Sequence, residues 1–126
     1  MAFSRVPGVK FLGAITRDKL VQEQLSSNVL IYPAIFEELF CITCAEASVA
    51  GCLPITSDWG ALPTTNMYKV LPGFVTDGRW QAEFAEAVVF AMQHPDEDSR
   101  KMIRQGSARR FDPKRVSRLW RQRIFR

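Results

Sequence analysis

Apolar positions in the first three-quarters of the chain follow two alternating rhythms. Val9-Lys10-Phe11-Leu12-Gly13 reads as a strand ended by glycine. The polar stretch from Thr16 to about Ser27 follows as a helix, with Leu20, Val21 and Leu25 on one face and Thr16 or Asp18 near its start. Asn28 to Tyr32, closed by Pro33, is a continuous apolar run of the kind buried on both faces of a parallel sheet. Cys41 to Ala50 is small and apolar around one glutamate and ends at Gly51, where a helix C-cap belongs. Cys52 to Thr56 gives another strand, Ser57 to Gly60 a loop, and Lys69 to Leu71 a last short strand before Pro72-Gly73. Helices follow. Trp80, Phe84, Val88 and Ala91 mark one that stops at His94-Pro95. Asp98 or Ser99 caps a second, and Asp112-Pro113 opens a third, in which Val116, Leu119, Trp120 and Ile124 form an apolar stripe among arginines. Strands alternating with helices imply right-handed β-α-β crossovers, hence an α/β, doubly wound parallel sheet. We expect a single domain over 1–126, with a β/α part at about 1–78 and helices over 79–126. Three or four strands make a thin sheet where the usual form has about six, so part of the fold is expected to lie elsewhere.

Composition narrows the class. At 126 residues, 47% apolar and 24% charged, the chain is an ordinary globular domain and not a disordered, collagen-like or coiled-coil sequence. Apolar runs such as Val29 to Tyr32 and Ala87 to Met92 fall well short of the ~18 residues that span a bilayer. The N-terminus, without a basic start and a long apolar stretch, does not resemble a secretory signal. Three cysteines, an odd and small number, point to free thiols in a reducing, cytoplasmic compartment.

Charge is strongly segregated. Residues 100–126 carry eleven Lys/Arg against Asp112 alone, a net of +10, and residues 1–99 carry six against twelve acids, a net of −6. A basic quarter on an acidic body points to an anionic contact: a phosphate-bearing ligand, a membrane surface, nucleic acid or an acidic protein surface. Solvated helix faces account for it equally well.

The stretch from Tyr32 to Ala47 carries the densest chemistry. A buried strand runs out into a proline-bounded loop, the loop bears Glu37 and Glu38, and a helix begins within a few residues. In open α/β sheets ligands bind beyond the carboxyl ends of the strands, and a helix N-terminus there offers unpaired N–H groups to a phosphate or sugar oxygen. Glu46, set among Ala45, Ala47, Ser48 and Ala50, needs an exposed edge or polar partners, and ligand hydroxyls would serve.

Glu38 to Glu46 is a Glu-x7-Glu spacing. With Tyr32-Pro33 before it and Glu46-Ala47 and Ala50 to Ile55 after it, this segment resembles the donor-binding half of retaining GT-B glycosyltransferases. Val9 to Gly13 is similar to that family's strand ending in Phe-x-Gly, Trp59 to Pro63 to its glycine-leucine-proline loop, and Phe111-Asp112-Pro113 through Trp120 to its closing helix. The resemblance implies a partial Rossmann-like fold, the C-terminal half of a GT-B enzyme. It also implies transfer of a sugar from a nucleotide-diphosphate donor, with no metal cofactor. It places Glu46 on the ribose hydroxyls and gives Glu38 the catalytic position against the donor sugar. The N–H groups of Phe40, Cys41, Ile42 and Thr43 would face sugar and diphosphate, and Gly13, Ala14 and Ile15 the nucleobase.

Departures from the pattern bear on the donor. Leu39 and Cys41 stand where the family often has glycines, and Ala61 and Thr64 where a second glycine and a glutamate are common. The family's diphosphate-binding Arg and Lys precede the Val9 segment, and its acceptor site occupies a separate N-terminal domain. We therefore expect a companion acceptor domain or chain, a homodimer of the isolated chain through its open sheet edge, and no transfer by this chain alone. A non-catalytic binding module is the alternative. Contact of the basic C-terminal helix with a membrane surface is a further expectation, and nucleic acid is the least favoured partner. Cys41-Ile-Thr-Cys44 has redox spacing, but its flanks are not thioredoxin-like and no second pair completes a zinc site. His94 is read as an exposed helix stop.

Overall fold

The computed structural model describes residues 5–124. Three parallel strands form one sheet in the order β1-β2-β3: β1 (Val29–Tyr32), β2 (Leu53–Ser57) and β3 (Lys69–Leu71). Val29 pairs with Leu53 and Tyr32 with Thr56, while Ile55 pairs with Lys69 and Ser57 with Leu71. The central strand is buried along its whole length, as a parallel strand covered on both faces must be. Crossover helices α1 (Arg17–Ser26), α2 (Ile42–Ala50) and the short α3 (Leu62–Thr65) precede or link the strands, and α4 (Gly78–Gln93), α5 (Glu97–Arg110) and α6 (Pro113–Ile124) follow them.

Two apolar clusters sandwich the sheet. On one face Ile55 and Leu71 pack with Trp80, Phe84, Ala87, Val88 and Ala91 of α4, the residues whose spacing announced that helix. Trp80 stacks on Phe84 at 4.8 Å between ring centroids and donates its indole N–H to Leu71 O at 3.3 Å. On the other face Ala34, Cys41, Cys44 and Leu62 pack with Leu30 and Tyr32. Helix boundaries follow local chemistry. Thr16 caps α1, Asp77 caps α4 and Gly51, at φ +90°, closes α2.

Three expectations are corrected. Val9 to Gly13 is not a strand: it carries no ladder bonds, and Val9 and Phe11 are 48% and 59% exposed. In the doubly wound order 3-2-1-4-5-6 a third strand lies beside the second, while the fourth lies beside the first. With β1-β2-β3 on the 4-5-6 side, the Val9 segment belongs three places beyond β1, and no strand among the described residues fills the two places between. For the same reason β1 is an edge strand, half-buried rather than covered on both faces, with Ile31 49% exposed. Leu20, Val21 and Leu25 of α1 remain open to solvent. Helix α5 is capped by Asp96, whose carboxylate takes the Ser99 N–H at 2.8 Å, and not by Asp98 or Ser99. Helix α3 had no sequence signal beyond Pro63.

Candidate functional site

The site forms where β1 and β2 end. After Tyr32 the chain leaves the sheet through Pro33, and Ser57, the last residue of β2, donates its hydroxyl to Ala34 O at 2.8 Å, tying the exit loop to the neighbouring strand. Glu38 is then fixed by main-chain pairing with Gly60, and Ala61 N donates to Glu38 O at 2.6 Å. Gly60 has φ +61°, and a β-carbon there would overlap the main-chain N and O of Glu38, so only glycine lets the two loops meet.

Each glutamate of the spaced pair is held by a side chain that sequence reasoning did not assign. The Tyr32 hydroxyl donates to Glu38 Oε1. That bond, together with burial, holds the Tyr32 phenol well above its ordinary value of 10.0, so it remains a donor at every physiological pH. Glu46 sits a turn into α2 and accepts from the Arg17 guanidinium at the start of α1. Its side chain is 26% exposed and that of Arg17 70%, so the pair lies at a solvent-accessible rim. The hydrogen bond to Glu46 and the charge of its carboxylate hold the Arg17 guanidinium above its ordinary value.

Between the two carboxylates lies the N-terminus of α2. Cys41 precedes it in the left-handed conformation, φ 62° and ψ 76°, and the first bond of the helix runs from Ala45 N to Cys41 O. No side chain caps this end, leaving the exposed Ile42 and Thr43 with N–H groups that suit an anion. The geometry also accounts for a departure noted above: a position that commonly carries glycine needs a positive φ, and here a buried cysteine adopts it. Phe40 is anchored from two sides, its carbonyl accepting from the Thr65 hydroxyl and its ring meeting Phe111 edge-on at 5.6 Å.

Beside Glu46 a groove of about 350 Å³ runs between α1 and α2, lined by Arg17, Val21, Leu25, Glu46, Val49 and Phe111. Gly13, Ala14 and Ile15 lie two to four residues before Arg17, so chain continuity brings that segment to the Glu46 side of the site. Glu37 is exposed.

The Cys41-x-x-Cys44 pair is structural. Both thiols are buried and free, and desolvation pushes Cys41 up and Cys44 up to about 12, the opposite of a reactive thiolate. Among the described residues no group of three or more His, Cys, Asp or Glu gathers to hold a metal ion, and no helix is long and apolar enough to cross a membrane. His94 sits exposed at the end of α4, its ring stacked on Phe90 at 4.3 Å.

Two of the C-terminal cations are built into the scaffold. Arg104 donates to Ala50 O at 2.8 Å and Arg100 to Gly51 O at 2.9 Å, placing positive charge on the carbonyl end of α2, where the helix dipole favours it.

A parallel sheet with helices on both faces, and a carboxylate-bearing loop at its strand ends, defines a partial Rossmann-like domain. The family model of the glycosyl transferases group 1 matches residues 6–109, more than four-fifths of the chain, and the protein belongs to that family. Its chemistry is glycosyl transfer on a GT-B type domain. No curated protein and no solved structure matches it.

Proposed function

We propose that this chain is the donor half of a retaining glycosyltransferase: it holds a nucleotide-diphosphate sugar for transfer to an acceptor bound by a companion half. The observation that carries the reading is the placement of Glu38 and Glu46 on either side of the uncapped α2 N-terminus, each oriented by a partner of its own. Ionised carboxylates are pure acceptors and pair well with sugar hydroxyls. Glu46, beside the apolar groove, takes the ribose. Glu38, braced by Tyr32 and Gly60, takes the donor sugar and has the catalytic position. The Phe40 to Thr43 main chain faces the diphosphate, where the helix end stabilises the charge that grows as it departs, and Gly13 to Ile15 line the base. The reading calls on no metal. The open edge of β1 and the exposed Val9 segment support a companion that completes the sheet, or a second copy when the chain is alone. Three buried free cysteines suit a reducing, cytoplasmic compartment.

Titration of the chain with nucleoside diphosphates, followed by NMR, tests this reading. We expect weak binding, shifts concentrated on Phe40 to Glu46, and a loss of about 1–3 kcal/mol in Glu46→Ala as a charge-assisted bond disappears. Shifts confined to residues 100–124 would overturn it.

A further inference from the structure

The main chain of the loop after β1 is pinned at both ends, Ala34 O by the Ser57 hydroxyl and Glu38 by Gly60 and Ala61 N. What the pinning leaves free is the Glu38 side chain, half-buried and with several rotatable bonds before its carboxylate. Among the described residues one side chain donates to that carboxylate, the Tyr32 hydroxyl. Tyr32 ends β1 and packs against the cluster of Ala34, Cys41, Cys44 and Leu62, so the sheet and the core set the place of its phenol, independently of the loop. The ring is only half-buried, and water would satisfy its hydroxyl there, so burial does not force the bond to Glu38. Its neighbour Cys41 is buried and desolvation raises that thiol, which therefore stays protonated and offers no rival charge.

We propose that Tyr32 is a positioning residue: it holds the Glu38 carboxylate in one orientation and engages one of its oxygens, so that the other meets the ligand. A carboxylate on an unbraced side chain has to be ordered when a ligand binds, whereas one already ordered by a packed phenol binds without that cost. Selectivity is the second consequence. With both oxygens free, a carboxylate grips two adjacent hydroxyls at once. With Oε1 committed to the phenol, Oε2 is the stronger acceptor and reads one hydroxyl at a time. The positioning follows from the packing alone. That the free oxygen meets a hydroxyl of the transferred sugar rests on the donor reading above.

Two measurements on the 126-residue chain test the proposal, the first without any ligand. Three-bond NMR couplings across χ1 of Glu38 should report a single rotamer in the parent and averaging among rotamers in Tyr32→Phe, a variant that keeps the ring in its cluster and the circular dichroism of the parent. The second is calorimetric titration with UDP-glucose, GDP-mannose and the corresponding bare nucleoside diphosphates. We expect Tyr32→Phe to lower affinity for the preferred nucleotide sugar about three- to tenfold relative to its bare diphosphate, which is what ordering one freed side chain costs. The double variant Tyr32→Phe/Glu38→Ala should lose no more than Glu38→Ala alone, because the phenol acts through the carboxylate. A Glu38 that keeps one rotamer in Tyr32→Phe would overturn the proposal. So would losses that add in the double variant, which would give Tyr32 a role of its own apart from Glu38. Averaged couplings in Tyr32→Phe, in a chain whose parent binds none of the four probes, would uphold the positioning of Glu38 and sink the donor reading instead.

Discussion

Gly60 holds the site together at the scale of single residues. Its φ of +61° and its contact with the Glu38 main chain impose two independent demands, one on backbone conformation and one on space. Gly60→Ala violates both, and the atoms in the way are backbone, which cannot swing aside. We expect it to cost about 2–4 kcal/mol in urea unfolding, and to abolish nucleoside diphosphate binding under conditions where the variant is still folded. Arg17 acts differently. It lies on the carboxylate that the ribose would use, in an exposed ion pair of the kind that contributes little to stability. Arg17→Ala should therefore leave the unfolding midpoint unchanged and raise nucleoside diphosphate affinity a few-fold, because the acceptor oxygens no longer have to exchange a partner. Calorimetric titration of both proteins decides it. A loss of affinity would mean that the guanidinium turns to the ligand's phosphates instead.

Among the elements, α2 carries the site, and its two ends are finished in opposite ways. The carbonyl end is closed by Gly51 and by Arg100 and Arg104, and the amide end is left open between two glutamates. Its inner face is small and sealed, with Cys44 and Ser48 wholly inaccessible and the Ser48 hydroxyl donating to Cys44 O at 2.7 Å. Burial there raises the Cys44 thiol from 9.0 to about 12, and Cys41 and Cys52 also move upward. A raised thiol favours the folded state while protonated, so stability should be flat below pH 9 and fall as pH climbs from about 9 towards about 12. Thermal melts across that range check the sign, and Cys44→Ala should flatten the alkaline limb even if it lowers the melting point throughout. The sequence made much of this element legible, since Gly51, the small residues and the following strand are local signals. So were α4, through its apolar spacing, and the caps at Thr16 and Asp112. The Tyr32–Glu38 and Arg17–Glu46 pairs were not, because neither tyrosine nor arginine carries any local mark of its partner, 6 and 29 residues away. The Val9 segment has the composition of a strand and lacks only a neighbour, a condition set by tertiary structure.

At the scale of the whole molecule, the distribution of cations decides what this chain can do unaided. Transfer requires positive charge near the departing diphosphate and an acceptor held near the anomeric carbon. The strongly basic region lies elsewhere: Arg100 and Arg104 are engaged at the carbonyl end of α2, about 13 Å from its amide end at 1.5 Å per residue. The cations of α6 stand on an outward face. Among the described residues, the cation paired with either glutamate of the spaced pair is Arg17, on Glu46. The site itself is open, flanked by the unpaired edge of β1 and by apolar side chains such as Phe36 and Leu39, 55% and 95% exposed, which are surfaces for another body to cover. We therefore expect the 126-residue chain, assayed alone with a panel of nucleotide sugars and acceptors, to release no nucleoside diphosphate in an acceptor-dependent way and to hydrolyse donors slowly at most. Glu38→Ala should blunt discrimination among donors in binding assays without altering that result. Robust acceptor-dependent release, abolished by Glu38→Ala or Glu46→Ala, would show instead that these residues and Arg17 suffice for catalysis and that no companion half is needed.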